Sequence, residues 1–192
     1  MPTIRELAYA NRSCRRFDQS HRIDMAVLEE LVDIARVCPS AANLQPLKYA
    51  VVNEDNVCAR VFENLFWAAY LKDWAGPEEG ERPSAYIVIL HDKSVSPGVD
   101  CDHGITAQTM LLAAREKGLA GCMLGAVRKP EVMQALNLPE TLNILLVLAL
   151  GKPAEDVVIE SVGADGDIRY YRGDDERHHV PKRALSEILL RK

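Results

Sequence analysis

Tyr86-Ile87-Val88-Ile89-Leu90 is an uninterrupted apolar run of strand length, rich in β-branched side chains, and it predicts a strand buried on both faces. The chain on either side supplies its cover. Downstream, Asp102 to Lys117 predicts a long helix with Ile105, Met110, Leu111, Leu112 and Ala113 toward the core, closed by Gly118. A strand near Gly121 to Leu124, a helix from Pro130 to Leu136 and a strand from Asn143 to Leu150 follow. Upstream, Tyr49-Ala50-Val51-Val52 is a short strand between Pro46 and Asn53, leading into a helix from about Asn56 to Ala69 on Val57, Val61, Phe62 and Leu65. Asp24 opens a helix on Val27, Leu28, Leu31, Val32, Ile34 and Ala35 that stops before Pro39, and Thr3-Ile4-Arg5-Glu6 has the form of a capping box for a first helix ending near Ala10. A turn-rich stretch, Gly163 to Lys182, leads into a terminal helix from Ala184 to Leu190. The alternation predicts an α+β fold with a central mixed β-sheet flanked by helices.

The chain has 192 residues, which predicts a single domain over 1–192, and its 48% hydrophobic and 27% charged residues are ordinary for a globular protein. With 23 basic against 28 acidic residues the net charge is −5, so no broad positive field attracts nucleic acid or an anionic membrane. The longest apolar run, Ile144 to Leu150, falls far short of the roughly 20 residues a spanning helix needs. The N-terminal segment has no apolar core and carries Glu6 early, so it reads as mature sequence and the expected location is the cytoplasm. Cys14, Cys38, Cys58, Cys101 and Cys122 are odd in number and never spaced C-x-x-C, against both a disulfide framework and a zinc ribbon.

Two basic clusters stand out: Arg12, Arg15 and Arg16 around Ser13, and Lys182-Arg183 far down the chain. An arginine fork matches a phosphate or carboxylate, and the alternative is solvated charge paired with Asp18, Asp24 or Glu187. Pro39-Ser40-Ala41-Ala42-Asn43-Leu44-Gln45-Pro46 is a stiff loop whose small residues permit close approach and whose amides suit heteroaromatic edges. Lys72 to Pro83 is polar with two prolines and two glycines, and reads as a mobile surface segment or lid. Asp100, Cys101, Asp102 and His103 are adjacent and cannot all converge on one metal ion, and Asp102 is read as an N-cap. Of His178-His179, one is expected to pack and one to face solvent, Cys14 is a bystander thiol, and Trp67, Tyr70 and Trp74 read as core or interface.

These residues together resemble the nitroreductase family of FMN-dependent oxidoreductases. The resemblance rests on Arg12-Ser13-Cys14-Arg15-Arg16-Phe17 and on the Pro39 to Pro46 loop. It continues through Asp102-His103-Gly104-Ile105-Thr106-Ala107-Gln108, Gly118 to Ala126, Ala149-Leu150-Gly151-Lys152-Pro153 and Val180-Pro181-Lys182-Arg183. Asn11 departs from a position that is often the first arginine, Thr109 from a common asparagine, and Lys152 from the usual tyrosine.

The resemblance implies a nitroreductase-like fold in an interlocked homodimer with an FMN in each of two interface clefts. Arg12, Ser13 and Arg15 would hold the phosphate or ribityl chain, with Lys182 or Arg183 adding charge. Pro39, Ser40, Ala41, Asn43 and Gln45 would line the flavin from the partner subunit, and Leu124, Gly125 and Ala126 would pass the ring with a backbone N–H near Gly125 facing flavin N5. No side chain need be catalytic and no metal is implied. NADH or NADPH would reduce the flavin, and a small electrophile (a nitroaromatic, quinone or enone) would reoxidise it in a ping-pong scheme. The alternatives are an FMN-binding protein without reductase turnover and a flavin-free scaffold.

Overall fold

The computed structural model describes residues 1–191. Its elements are α1 (Ile4–Ala10), β1 (Phe17–Asp18), α2 (Met25–Arg36), a 3-10 turn (Ala41–Asn43), β2 (Leu47–Val52), α3 (Asp55–Phe62), β3 (Ala85–Asp92) and α4 (Asp102–Glu116). They continue with β4 (Ala120–Leu124), α5 (Lys129–Ala135), β5 (Leu142–Pro153), β6 (Val157–Ser161), β7 (Tyr171–Arg172), β8 (His178–Lys182) and α6 (Leu185–Ile188).

β5 organises the central sheet. β3 pairs with it along one edge, from Ala85 opposite Leu150 to Asp92 opposite Leu142, and β2 lies outside β3. On its other edge β5 takes β4, with Gly121 opposite Leu150, and the C-terminal end of β5 pairs with β1, with Phe17 opposite Pro153. These ladders are antiparallel; parallel pairing enters through the bridge between Ser13 and Gly121 and through the β6–β8 ladder of a second sheet ordered β6-β8-β7. The architecture is therefore α+β, with pairing of both senses.

The apolar run in β3 is buried because both faces of the sheet are covered. Tyr86, Val88 and Leu90 turn to one side, where they join Val61 of α3, Val132 of α5, Trp67 and Leu124. Ile87 and Ile89 turn to the other and meet Leu28 and Leu31 of α2 and Ala107, Met110 and Leu111 of α4. This is the period-two alternation of a strand with an apolar layer on each face. Helix α4 approaches β4 so closely that a Cβ on Gly121 would lie 2.6 Å from both Leu111 Cδ2 and the Ala149 carbonyl oxygen.

Several local expectations shift. The Thr3–Glu6 capping box forms. Helix α3 ends at Phe62, seven residues before Ala69, because the chain turns to bridge Leu65 with Val127 and reaches Ala68 at φ 37, which buries Trp67 and Ala68 by another route. The Lys72–Pro83 segment has neither helix nor strand, yet its second half is pinned. Phe17 N–H donates to the Glu81 carbonyl at 2.9 Å, Gly80 N–H donates to Gln19 Oε1 at 2.7 Å, and the Arg16 guanidinium grips the Glu81 carboxylate through two nitrogens. Helix α6 covers only Leu185–Ile188, and Leu185, Ile188, Leu189 and Leu190 are all exposed.

Candidate functional site

The first basic cluster is positioned by a buried acid. After α1, the chain from Asn11 to Arg16 runs along the β4 edge, with Cys14 N–H donating to the Gly121 carbonyl at 3.0 Å. The Glu155 side chain, 2% exposed, accepts from the backbone N–H groups of Arg15 and Arg16 and lies 3.3 Å from Arg172 Nη2. Its charge is taken up by the main chain and by Arg172, which leaves the guanidinium groups of Arg12 and Arg15 without an ion pair to it.

Arg12, Ser13, Arg15 and Lys182 line a cleft of about 330 Å3 together with Asn11, Gln108, Gly121, Met123, Tyr170 and His178. The two basic clusters, distant in sequence, thus meet. Arg15 is 8% exposed, its guanidinium 4.6 Å over the Tyr170 ring, with Nη1 2.9 Å from His178 Nε2. Arg12 donates from Nη2 to the Ala8 carbonyl at 2.5 Å, and burial pulls its guanidinium below the usual arginine value. Among the described residues, Arg12, Arg15 and Lys182 have no carboxylate partner, and the buried nitrogens Arg12 Nε, Arg15 Nε and His178 Nδ1 have no hydrogen-bond partner. Buried donors without acceptors cost about 1–3 kcal/mol each. A phosphate monoester supplies the missing oxygens and charge, so these residues fit the terminal phosphate of FMN.

A neighbouring cavity of about 490 Å3 shares Arg12 but is not a rival for that anion. Its four arginines, Arg12, Arg16, Arg115 and Arg177, share the lining with four acids, Glu155, Asp156, Asp175 and Glu176, so its charge is already balanced. Burial pushes the Cys14 thiol up to about 12, the opposite of what flanking arginines would do to an exposed thiol, and this fits a bystander. Arg183 lies outside the cleft, with Nη1 3.9 Å from Glu187.

The Pro39–Pro46 loop sits elsewhere. Pro39, Ser40 and Gln45 line a separate pocket of about 160 Å3 with Cys38, Tyr49, Asp102 and Thr106. Asp102 is the first residue of α4, only 3% exposed, and Cys101 occupies the cap position. Its side chain caps nothing in its own helix. Instead Oδ2 accepts from the Ser40 hydroxyl at 2.5 Å and Oδ1 from Ala41 N–H at 3.1 Å, while Ser40 Oγ in turn accepts from Gln45 N–H at 3.0 Å. This strap holds Ala42, Asn43 and Gln45 at φ 49, 55 and 52, three left-handed non-glycine residues within four positions. Ala41 and Asn43 are exposed on the loop, as are Gly125 and Ala126 on the turn after β4, while Leu124 is buried. Phe66 N–H donates to the Ala126 carbonyl at 3.0 Å, fixing that turn to the chain beyond α3.

Sequence reasoning missed Glu155 and three further contributors. Tyr170 and His178 lie in a turn-rich stretch whose only signal was the histidine pair, of which His178 is the packed member. Asp102 had the composition of a helix cap, and nothing in its neighbourhood points to a loop some sixty residues upstream.

Among known proteins, the chain is 27% identical over 176 residues to an iodotyrosine dehalogenase 1 homolog of Caenorhabditis elegans, covering 77% of this chain and 54% of that protein. The chain therefore spans about half the length of that relative. It is also 27% identical over 161 residues to an Archaeoglobus fulgidus protein provisionally named NADH dehydrogenase/NAD(P)H nitroreductase, covering 79% of this chain and 86% of the relative. The fold superposes with a TM-score of 0.64 on an FMN-dependent nitroreductase from Clostridium difficile R20291, at 17% identity over 78% of this chain and 87% of that one. The sequence model of the Nitroreductase family matches residues 9–152, which takes in the Arg12–Arg15 element, the Pro39–Pro46 loop, α4 and the central sheet, and the chain belongs to that family.

Proposed function

We propose that the chain is an FMN-dependent oxidoreductase that moves electrons from NADH or NADPH to a small electrophilic acceptor. The observation that carries this reading is the cleft of Arg12, Ser13, Arg15 and Lys182, where arginines without carboxylate partners surround buried donors without acceptors. When bound, FMN would supply the redox chemistry at N5, reduced by the nicotinamide and reoxidised by the acceptor in turn.

The residues bind and position. Arg12, Arg15 and Lys182 would hold the phosphate, and Ser13 adds a hydroxyl and a backbone N–H. The turn Leu124-Gly125-Ala126 would run beside the ring, with Gly125 N–H near N5, where the small Gly125 and Ala126 would leave a ring face open. The strapped loop carrying Pro39, Ser40, Ala41, Asn43 and Gln45 would serve the flavin of a second copy. Its pocket is separate from the arginine cleft within one chain, which supports a site shared between two subunits. The exposed Leu185, Ile188, Leu189 and Leu190 supply an apolar surface for that second copy.

Purified protein is expected to be yellow and to release FMN on heating, identified by chromatography. Recovery of FAD, or failure to take up FMN on reconstitution, overturns the reading. Oxidation of NAD(P)H with a quinone or a nitroaromatic separates an enzyme from an FMN carrier without turnover. An iodotyrosine joins that acceptor panel because the Caenorhabditis elegans relative is named an iodotyrosine dehalogenase homolog.

A further inference from the structure

We infer that His178 is a positioning residue for Arg15 at the ligand phosphate, an inference that rests on reading the cleft as the FMN phosphate site. His178 opens β8, where it is paired with Val157 and Arg172 and its backbone N–H donates to the Asp156 carbonyl at 2.9 Å. The ring is 1% exposed, so its place is fixed by packing.

The hydrogen-bond chemistry follows from its partner. A guanidinium only donates, so His178 Nε2, 2.9 Å from Arg15 Nη1, must be the lone-pair nitrogen. In a neutral ring the proton is then on Nδ1, which is buried without an acceptor. Burial first, then the charges of Arg15 and Arg172, hold the imidazole down to about 4, so it stays a neutral acceptor at pH 7. Tyr170 completes the clamp: the Arg15 guanidinium lies 4.6 Å over its ring and the His178 ring is 5.2 Å away. Arg15 is thereby fixed in both plane and azimuth, which leaves its free Nε for phosphate oxygens.

The two ring nitrogens can be separated by substitution, because Gln places an amide oxygen where Nε2 stands and Asn places its amide where Nδ1 stands. FMN and riboflavin are titrated into apo-protein of the wild type, His178→Gln, His178→Asn and His178→Phe, and into Arg15→Ala with and without His178→Phe, with a urea melt on each. We expect His178→Gln to bind FMN within about threefold of wild type and His178→Asn and His178→Phe to bind about tenfold more weakly, with riboflavin affinity unchanged throughout. In the Arg15→Ala background, His178→Phe should add less than threefold. A purely structural histidine would weaken both flavins together and add fully to Arg15→Ala; that result, or wild-type FMN affinity in His178→Phe, overturns the inference. If His178→Phe does not fold, the Gln and Asn variants decide it, and equal losses in both count against. A wild type that binds riboflavin as tightly as FMN removes the phosphate reading itself, and the inference with it.

Discussion

Asp102→Ala tests whether the Pro39–Pro46 loop is held in place by one carboxylate. The substitution removes two charge-assisted hydrogen bonds, from Ser40 Oγ and Ala41 N–H, each contributing about 1.5–3 kcal/mol, or about 3–6 kcal/mol together. Opposing them are three residues at positive φ, Ala42, Asn43 and Gln45, at about 1–3 kcal/mol each, with Asn43 at the low end. The two sums are of the same size. Without the carboxylate the loop therefore relaxes to ordinary backbone angles, and the strain released offsets most of the bonding lost. The expected result is a global stability change under about 2 kcal/mol in a urea melt, with unchanged m-value, accompanied by a large loss of hydrogen-exchange protection at the Ala41 and Gln45 amides. Exchange at those amides as slow as in the wild type, or a stability loss of the full 3–6 kcal/mol estimated for the two bonds, would refute the balance drawn here.

Arg15→Ala is expected to weaken FMN binding by about 1.5–3 kcal/mol, tenfold to a hundredfold, whereas Arg5→Ala, whose side chain stacks 5.3 Å from the Tyr9 ring on the surface, leaves it unchanged; equal losses by flavin titration would remove Arg15 from the phosphate site. Gly121→Ala, with no room for a Cβ beside Leu111 and the Ala149 carbonyl, should lower stability by about 1–3 kcal/mol, and an unchanged melting temperature contradicts the close approach of α4 to β4. Because His178 is held at about 4 against an ordinary 6.5, the unfolded chain takes up this proton first. Stability is thus lost as pH falls from 6.5 toward 4, by at most about 2 kcal/mol at pH 5, and His178→Gln should lack that slope; identical slopes in chemical denaturation would disprove it. Sedimentation should give a species near twice 21.4 kDa, and deleting the residues after Pro181 should abolish both the dimer and the flavin; a stable, yellow, active monomer would defeat the shared-site arrangement.

What the sequence disclosed is what periodicity can carry. The run in β3, the long α4 and the apolar stretch of β5 each bury enough side chains in a fixed repeat to be read directly, and the order of α and β elements followed. The β6-β8-β7 sheet was not legible: Val157–Ser161 and His178–Lys182 are short, half exposed and polar in part, so their pairing is set by register with each other rather than by a core face. Arg12, Ser13, Arg15 and Lys182 were visible as residue types in a recurring pattern, and the structure brings them to one cleft. The partners that orient them, Glu155, Tyr170 and His178, act through contacts spanning more than a hundred residues, which no local window contains.

Helix α4 touches three concavities in succession: Asp102 and Thr106 at the loop pocket, Gln108 and Leu111 at the arginine cleft, and Arg115 at the charge-balanced cavity behind it. Each residue inserted into a helix rotates everything beyond it by about 100° and advances it by about 1.5 Å. A single insertion after Asp102 would therefore swing Gln108 and Leu111 off the cleft while leaving the loop strap intact, so this rod has almost no freedom to change length over evolutionary time. Length variation among related chains is instead expected at exposed turns where no side chain must keep phase with the sheet, at Glu78–Glu79 between α3 and β3 and at Gly163–Gly166 between β6 and β7. On the proposed function, those two turns are where acceptor preference would diversify without re-setting the spacing of the residues proposed to hold the cofactor.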